Sequence, residues 1–239
     1  MVTVVTGASV GIGRAIAEAY AREGAAVAMV ARTAADIERA ARDVAEATGG
    51  RTLGLAADVS SEADVERLIA TVEQEFGPID VLVNNAGLPG PRAFMQQVEL
   101  AEFEQVLRVN VLGTFLCAKA VAPQMVGRRR GRIINMSGAG GGGGAVRGGA
   151  PYNTSKGAIE SFTRTAGLEL AGRDVLCAAI MPGRVETRGF PFHEKSPPEE
   201  REHAVPPSYA ARLAVWLATE ATLDVAGQTI NAVEWVDRA

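Results

Sequence analysis

Short apolar runs alternate with longer segments whose apolar residues recur at helical spacing, along most of the chain. Runs near residues 2–6, 26–31, 51–57, 79–84, 131–137, 174–181 and 228–234 are dominated by Val, Ile, Leu and Ala. Such runs are too short for helices and too continuous for a half-exposed sheet, so they are predicted as strands covered on both faces. The intervening periodicity predicts helices near 12–23, 34–47, 61–76, 99–126, 151–171 and 208–219. Ser61-x-x-Asp64 has the form of a capping box at the start of the third helix, and Gly77-Pro78 ends it. Strand–helix alternation with right-handed crossovers gives an α/β fold. The expected architecture is a doubly wound, seven-stranded parallel sheet with helices on both faces.

At 239 residues the chain is read as a single domain, 1–239, in which the polar, proline-containing segment 188–207 forms a substrate lid. The helix predicted at 99–126 carries Phe103, Val106, Leu107, Leu112, Phe115, Leu116 and Val121, an apolar surface wide for one helix on one sheet. A homodimer or homotetramer is therefore expected. A net charge of −4 leaves no footprint for nucleic acid, and the cluster Arg128, Arg129, Arg130, Arg132 reads as a solvated helix end. No apolar segment precedes the first strand, so neither a signal peptide nor a membrane span is expected. Cys117 and Cys177 sit in apolar surroundings without metal-ligand spacing and read as core thiols of a cytoplasmic protein. The two histidines, His193 and His203, fall in the lid, and no metal site is expected.

Candidate chemistry enters at the first strand's end. Thr6-Gly7-Ala8-Ser9-Val10-Gly11-Ile12-Gly13 is a glycine-rich turn between a strand and a helix. Such a turn lets the backbone approach a pyrophosphate, which rests on the unpaired amides of the helix N-terminus. The second strand ends at Arg32 with no carboxylate beside it. An acidic residue there holds a ribose 2′-hydroxyl, whereas an arginine accommodates a 2′-phosphate, so NADP(H) is expected over NAD(H). Tyr152 and Lys156, four residues apart, project from one face of a predicted helix at about 5–6 Å between Cβ atoms. At an effective dielectric of about 20 the ammonium favours the phenolate by about 3 kcal/mol, lowering the phenol's pKa by roughly two. A phenol so tuned can exchange a proton with a substrate oxygen.

Together these motifs resemble the short-chain dehydrogenase/reductase family, and the likeness covers nearly all of the chain. The resemblance implies a Rossmann-type sheet and a role for each matching position. Thr6-Gly7-x-x-x-Gly11-x-Gly13, with Ser9 and Ile12 inside it, matches the cofactor turn. Asp58-Val59 resembles the adenine-contacting pair, and Asn84-Asn85-Ala86-Gly87 the turn after the fourth strand. Asn110 matches the asparagine whose helix kink holds a relay water, and Tyr152-x-x-x-Lys156 the catalytic pair, whose lysine also binds the nicotinamide ribose. Pro182-Gly183-x-Val185-x-Thr187 resembles the loop over the nicotinamide carboxamide.

One departure stands out. The family's catalytic serine position falls on Gly138, and Ser137, one residue earlier, is the only hydroxyl there. Ser137 serves as the oxyanion donor only if the backbone bulges or the strand has ended, because side chains alternate across a strand; the other candidates are a backbone N–H near Gly138 and a group of the substrate itself. The glycine run that follows permits such irregularity. The expected activity is an NADPH-dependent ketone or aldehyde reductase, or secondary-alcohol dehydrogenase, acting on a small molecule through a Tyr-Lys-Asn relay. Two readings remain beside it: a non-redox dehydratase, cyclase or epimerase, motivated by Gly138, and a dinucleotide-sensing binding protein.

Overall fold

A computed structural model describes residues 1–138, 144, 145, 147–185 and 204–238. Thr187, Val146, both histidines and residues 188–203 of the expected lid lie outside the described residues. Seven strands form one parallel sheet: β1 (Val2–Thr6), β2 (Ala26–Ala31), β3 (Thr52–Ala56), β4 (Val81–Asn84), β5 (Gly131–Met136), β6 (Val175–Met181) and β7 (Thr229–Asn231). Their order is β3-β2-β1-β4-β5-β6-β7, so the chain reverses direction of winding between β1 and β4. In parallel α/β sheets that reversal opens a crevice beyond the strands' carboxyl ends.

Helices α1 (Gly11–Arg22), α2 (Ala34–Thr48), α3 (Glu62–Phe76), α4 (Leu100–Leu107), α5 (Gly113–Arg128), α6 (Ala150–Ala171), α7 (Ser208–Thr219) and α8 (Ala232–Arg238) follow the strands. One face of the sheet buries Ile16, Tyr20, Ile37, Leu213 and Leu217 from α1, α2 and α7. The other buries Leu68, Val72, Leu116, Val121 and Met125 from α3 and α5. Covered on both sides, β1, β2, β4, β5 and β6 are almost wholly buried. This is why the strands read as unbroken apolar runs rather than alternating ones. Cys117 and Cys177 are buried in the second core, where burial raises both thiols to about 12.

Ser61 caps α3, its hydroxyl accepting the Asp64 amide at 3.3 Å, as its sequence predicts. Two expectations need correction. The helix predicted at 99–126 is interrupted: Arg108–Leu112 form a π-helical turn between α4 and α5. The strand predicted at 228–234 ends at Asn231. There the Asn231 side chain accepts the Val233 amide at 3.0 Å and donates to the Glu234 carboxylate at 3.0 Å, so it caps a new helix, α8. The Asn-x-x-Glu signal is in the sequence and outranks the β-branched residues around it. Trp235, on α8, packs against Trp216 of α7 with ring centroids 5.6 Å apart. Arg128, Arg129 and Arg130 form the exposed helix end expected, and they are ion-paired as well. Arg128 and Arg130 both reach Asp80, at 3.2 and 3.6 Å, and Arg129 pairs with Asp174.

Candidate active site

A cleft of about 380 Å³ lies at the winding reversal. Gly7, Ser9, Gly11, Ile12, Arg32, Asp58, Val59, Asn85, Ala86, Gly87, Ser137, Tyr152, Lys156 and Pro182 all line it. Residues far apart in sequence thus meet where the sheet topology places a ligand. Gly13, Asn110, Gly183 and Val185 are not in the lining; Gly13 and Asn110 pack or hydrogen-bond against the residues that form it. Val30, Ala31, Thr33, Leu88, Pro89 and Met136 line the cleft without having been singled out by motif.

The glycine turn is held open by the neighbouring turn. The Asn85 side-chain amide donates to the carbonyls of Thr6 and Gly7 at 2.9 and 3.1 Å, and the Thr6 hydroxyl accepts the amides of Asn85 and Ala86, both at 3.0 Å. Gly7 has φ of 65°. A Cβ on Gly13 would lie 2.4 Å from both the Asn85 amide nitrogen and the Gly7 carbonyl oxygen. The third glycine therefore exists for close packing of α1 on the turn. Val10, at the N-cap of α1, makes no side-chain bond to it, and the first turn holds no acidic residue. That helix end is electropositive and uncapped.

At the other end of the cleft, α6 presents Tyr152 and Lys156. The ammonium lies 5.5 Å from the centroid of the tyrosine ring, in keeping with the i, i+4 spacing. The electrostatics differ from the sequence expectation. Burial pushes the Tyr152 phenol up to about 12 rather than down, and pulls Lys156 down to about 8. Both groups lose water, and desolvation of the charged form outweighs their mutual attraction. The Lys156 ammonium also donates to the Met136 carbonyl at 2.7 Å, which fixes it against the end of β5.

Asn110 is wholly buried in the π-helical turn. Its side chain accepts the Leu88 amide at 2.7 Å and donates to the Leu88 carbonyl at 3.0 Å. It also donates to the Ser155 hydroxyl at 2.9 Å, which in turn donates to the Tyr152 carbonyl at 2.7 Å. One amide thereby ties the loop after β4 to the turn of α6 that carries the phenol. Ser155 escaped the motif reading because it falls at an unspecified position of the Tyr152-x-x-x-Lys156 pattern, and its role depends on Asn110 reaching it from a distant turn.

Ser137 and Gly138 divide the expected serine's place between them. The Ser137 hydroxyl donates to the Glu160 carboxylate, one turn beyond Lys156, and its amide donates to the Ile180 carbonyl at 2.8 Å. A Cβ on Gly138 would lie 2.7 Å from Tyr152 Oη and 3.5 Å from Lys156 Cγ. The position that faces the phenol is Gly138. β5 has ended at Met136, yet the Ser137 amide still pairs with β6 while its hydroxyl turns to Glu160.

Residues 1–196 match the family model described as short chain dehydrogenase. The 2-(R)-hydroxypropyl-CoM dehydrogenase of Xanthobacter autotrophicus is 38% identical over 188 residues, covering 78% of this chain and 75% of that protein. The 3-oxoacyl-[acyl-carrier-protein] reductase FabG of Aquifex aeolicus is 31% identical over 236 residues, 96% of this chain and 94% of its own. Among solved structures, a variant of the actinorhodin polyketide ketoreductase with NADPH superposes with a TM-score of 0.89 at 32% identity, covering 96% and 94% of the two chains. An NAD+-bound xylitol dehydrogenase gives 0.89 at 31% identity, covering 96% of each.

Proposed function

Because the chain belongs to the short-chain dehydrogenase family of oxidoreductases, we propose that it is an NADPH-dependent reductase of ketones or aldehydes, reversible as a secondary-alcohol dehydrogenase. The observation that carries the reading is one cleft with an uncapped helix N-terminus at one end and the Tyr152–Lys156 pair at the other. These residues fit a dinucleotide. The amides of α1 suit a pyrophosphate, and Asp58 and Val59 form a site for the adenine. Lys156 is placed for the ribose beside the reacting ring, with Pro182, Gly183, Val185 and Thr187 assigned to the carboxamide. When bound, the nicotinamide supplies or accepts a hydride.

Tyr152 is the proton donor. With its pKa near 12 the phenol is fully protonated at neutral pH, the state that reduction requires. Lys156 keeps a positive charge below about pH 8 and opposes the negative charge left on the phenolate. At about 5.5 Å and an effective dielectric of about 20, that is worth about 3 kcal/mol. Asn110 holds the π-helical turn and the α6 backbone in register and anchors the path by which the phenolate regains its proton. Loss of Tyr152→Phe activity, read as substrate-dependent nicotinamide absorbance, ties turnover to this site; retained activity would remove the phenol from the mechanism.

The preference for NADPH rests on Arg32, which is exposed at the end of β2 and lines the cleft. On α2, which follows Arg32, the carboxylates of Asp36 and Asp43 are paired with Arg39 and Arg14, at 2.7 and 3.1 Å. A charge-assisted bond to a 2′-phosphate contributes about 1.5–3 kcal/mol, or one to two decades of affinity. Both cofactors occur among the structural relatives: the ketoreductase was solved with NADPH and the xylitol dehydrogenase with NAD+. Tighter or equal binding of NADH overturns the assignment.

The exposed side chains of Leu112 in the π-helical turn, Phe115 on α5 and Leu168 on α6 support a homodimer or homotetramer formed by α5 and α6. A cytoplasmic, single-domain enzyme acting on small molecules completes the proposal. The glycine facing Tyr152 Oη also supports a second reading, a non-redox dehydratase, cyclase or epimerase. That reading is distinguished by product formed with no net change in nicotinamide absorbance.

A further inference from the structure

We propose that this enzyme selects carbonyl substrates that bring their own hydroxyl on the β-carbon, which donates to the reacting oxygen where Gly138 leaves β5 without a donor. The inference rests on the reductase reading above and deepens it to a substrate class.

Four observations place the demand on the substrate. Position 138 faces the phenol so closely that a Cβ there would lie 2.7 Å from Tyr152 Oη, inside contact distance, and 3.4 Å from Cζ, so the phenol must shift to admit a side chain. It is a glycine, so the phenol alone occupies the ground that a hydroxyl-bearing side chain would share with it. The neighbouring hydroxyl, on Ser137, is turned to Glu160. The other polar side chains described around the phenol are directed into the protein: Lys156 to the Met136 carbonyl, Asn110 to Leu88 and Ser155, and Ser155 to the Tyr152 carbonyl. Residues 139–144, which continue from β5, are Ala-Gly-Gly-Gly-Gly-Gly and contain no side-chain donor.

A carbonyl oxygen accepts two hydrogen bonds, and its demand for them grows as negative charge develops during hydride addition. Tyr152 supplies one. A β-hydroxyl closes a six-membered ring to the carbonyl oxygen with an open O–H···O angle. A hydroxyl on the adjacent carbon closes a five-membered ring whose angle falls toward ~120°, below which hydrogen bonds weaken steeply. In the reduction, a C–H bond forms at the carbonyl carbon with hydride from the reduced dinucleotide, which is oxidised. The π electron pair moves to oxygen, and the Tyr152 O–H bond breaks to give that oxygen its proton. The phenolate is reprotonated from solvent, and the β-hydroxyl keeps its proton throughout.

The test compares 4-hydroxy-2-butanone with 4-methoxy-2-butanone, alike in skeleton but differing in the donor, using the full chain and NADPH. Loss of one oxyanion donor costs about 10²- to 10³-fold in turnover, so the hydroxy ketone is expected to lead by at least about tenfold in kcat/KM. Gly138→Ser and Gly138→Ala crowd the phenol alike, so the hydroxyl is read from their ratio: the serine variant is expected to reduce the methoxy ketone faster than the alanine variant, and equal rates in the two count against a missing donor. Equal kcat/KM for the two ketones in the unmodified enzyme overturns the proposal, whatever the variants do. If neither ketone nor any other carbonyl consumes reduced dinucleotide, the reductase reading itself fails and this inference falls with it. A readout independent of turnover is the spectrophotometric titration of the Tyr152 phenol, identified by its loss in Tyr152→Phe. Gly138→Ser lowers its pKa relative to Gly138→Ala if position 138 faces the phenol, and an unchanged value refutes that placement.

Discussion

Replacing Lys156 by methionine tests the electrostatics of the site without any substrate. The ammonium is fully buried, and burial moves its pKa from the ordinary 10.5 to about 8. That gap corresponds to a cost of about 3 kcal/mol for carrying the charge in the folded state. Below pH 8 the folded and unfolded chains are both protonated at this lysine, and the whole cost is present. Between pH 8 and 10.5 the unfolded chain binds more protons than the folded one, so stability rises with pH until both are neutral. Lys156→Met lacks this dependence. Urea unfolding of the cofactor-free protein should therefore show wild type gaining about 2 kcal/mol on the variant between pH 7 and pH 10. The buried thiols and Tyr20 titrate in both proteins and cancel in the difference. The hydrogen bond from Lys156 to Met136, 2.7 Å long, sets the offset between the two proteins and not the slope. A difference that is flat across this range, or that falls, refutes the assignment of a depressed ammonium at this position.

Gly167, on α6, has Gly227 against it: a Cβ would sit 2.2 Å from the Gly227 amide nitrogen. Gly167→Ala is expected to cost about 1–3 kcal/mol by overpacking. Gly127→Ala, in a helical position with open space around it, is expected to gain up to about 1 kcal/mol, and thermal melts compare the two. Asn110→Ala leaves both polar groups of Leu88 without their partner and should lower stability by about 2–4 kcal/mol. Turnover in that variant should fall further than KM rises, because the loss is one of positioning; an unchanged kcat counts against the role assigned to Asn110. Arg32→Ala should weaken NADPH binding by about one to two decades and leave NADH binding within a factor of about two, as read by fluorescence titration.

Much of the site was legible in the linear order of residues because its logic is local. The turn from Thr6 to Gly13 and the i, i+4 spacing of Tyr152 and Lys156 carry their geometry with them: helix pitch puts both on one face, and their side chains then bring the ammonium 5.5 Å from the ring centroid. The π-helical turn at Arg108–Leu112 left no mark in the apolar periodicity, since one extra residue per turn hardly disturbs a broad apolar face. The end of β7 was misplaced for the opposite reason. Its β-branched residues resembled strand, while the Asn231 cap that starts α8 depends on a side chain meeting a specific backbone amide.

The sequence by itself determined the alternating elements, the parallel sheet and the residues gathered at its carboxyl edge, because hydrophobic periodicity and turn chemistry act within a few residues. The tertiary structure alone decided the direction in which the Tyr152 pKa moves and the direction in which Ser137 points. A pKa is set by all the water that folding removes, so the lysine expected to acidify the phenol loses to a burial that no spacing records. A hydroxyl one residue from its expected place goes to whichever partner folding brings within reach, and here α6 offers Glu160.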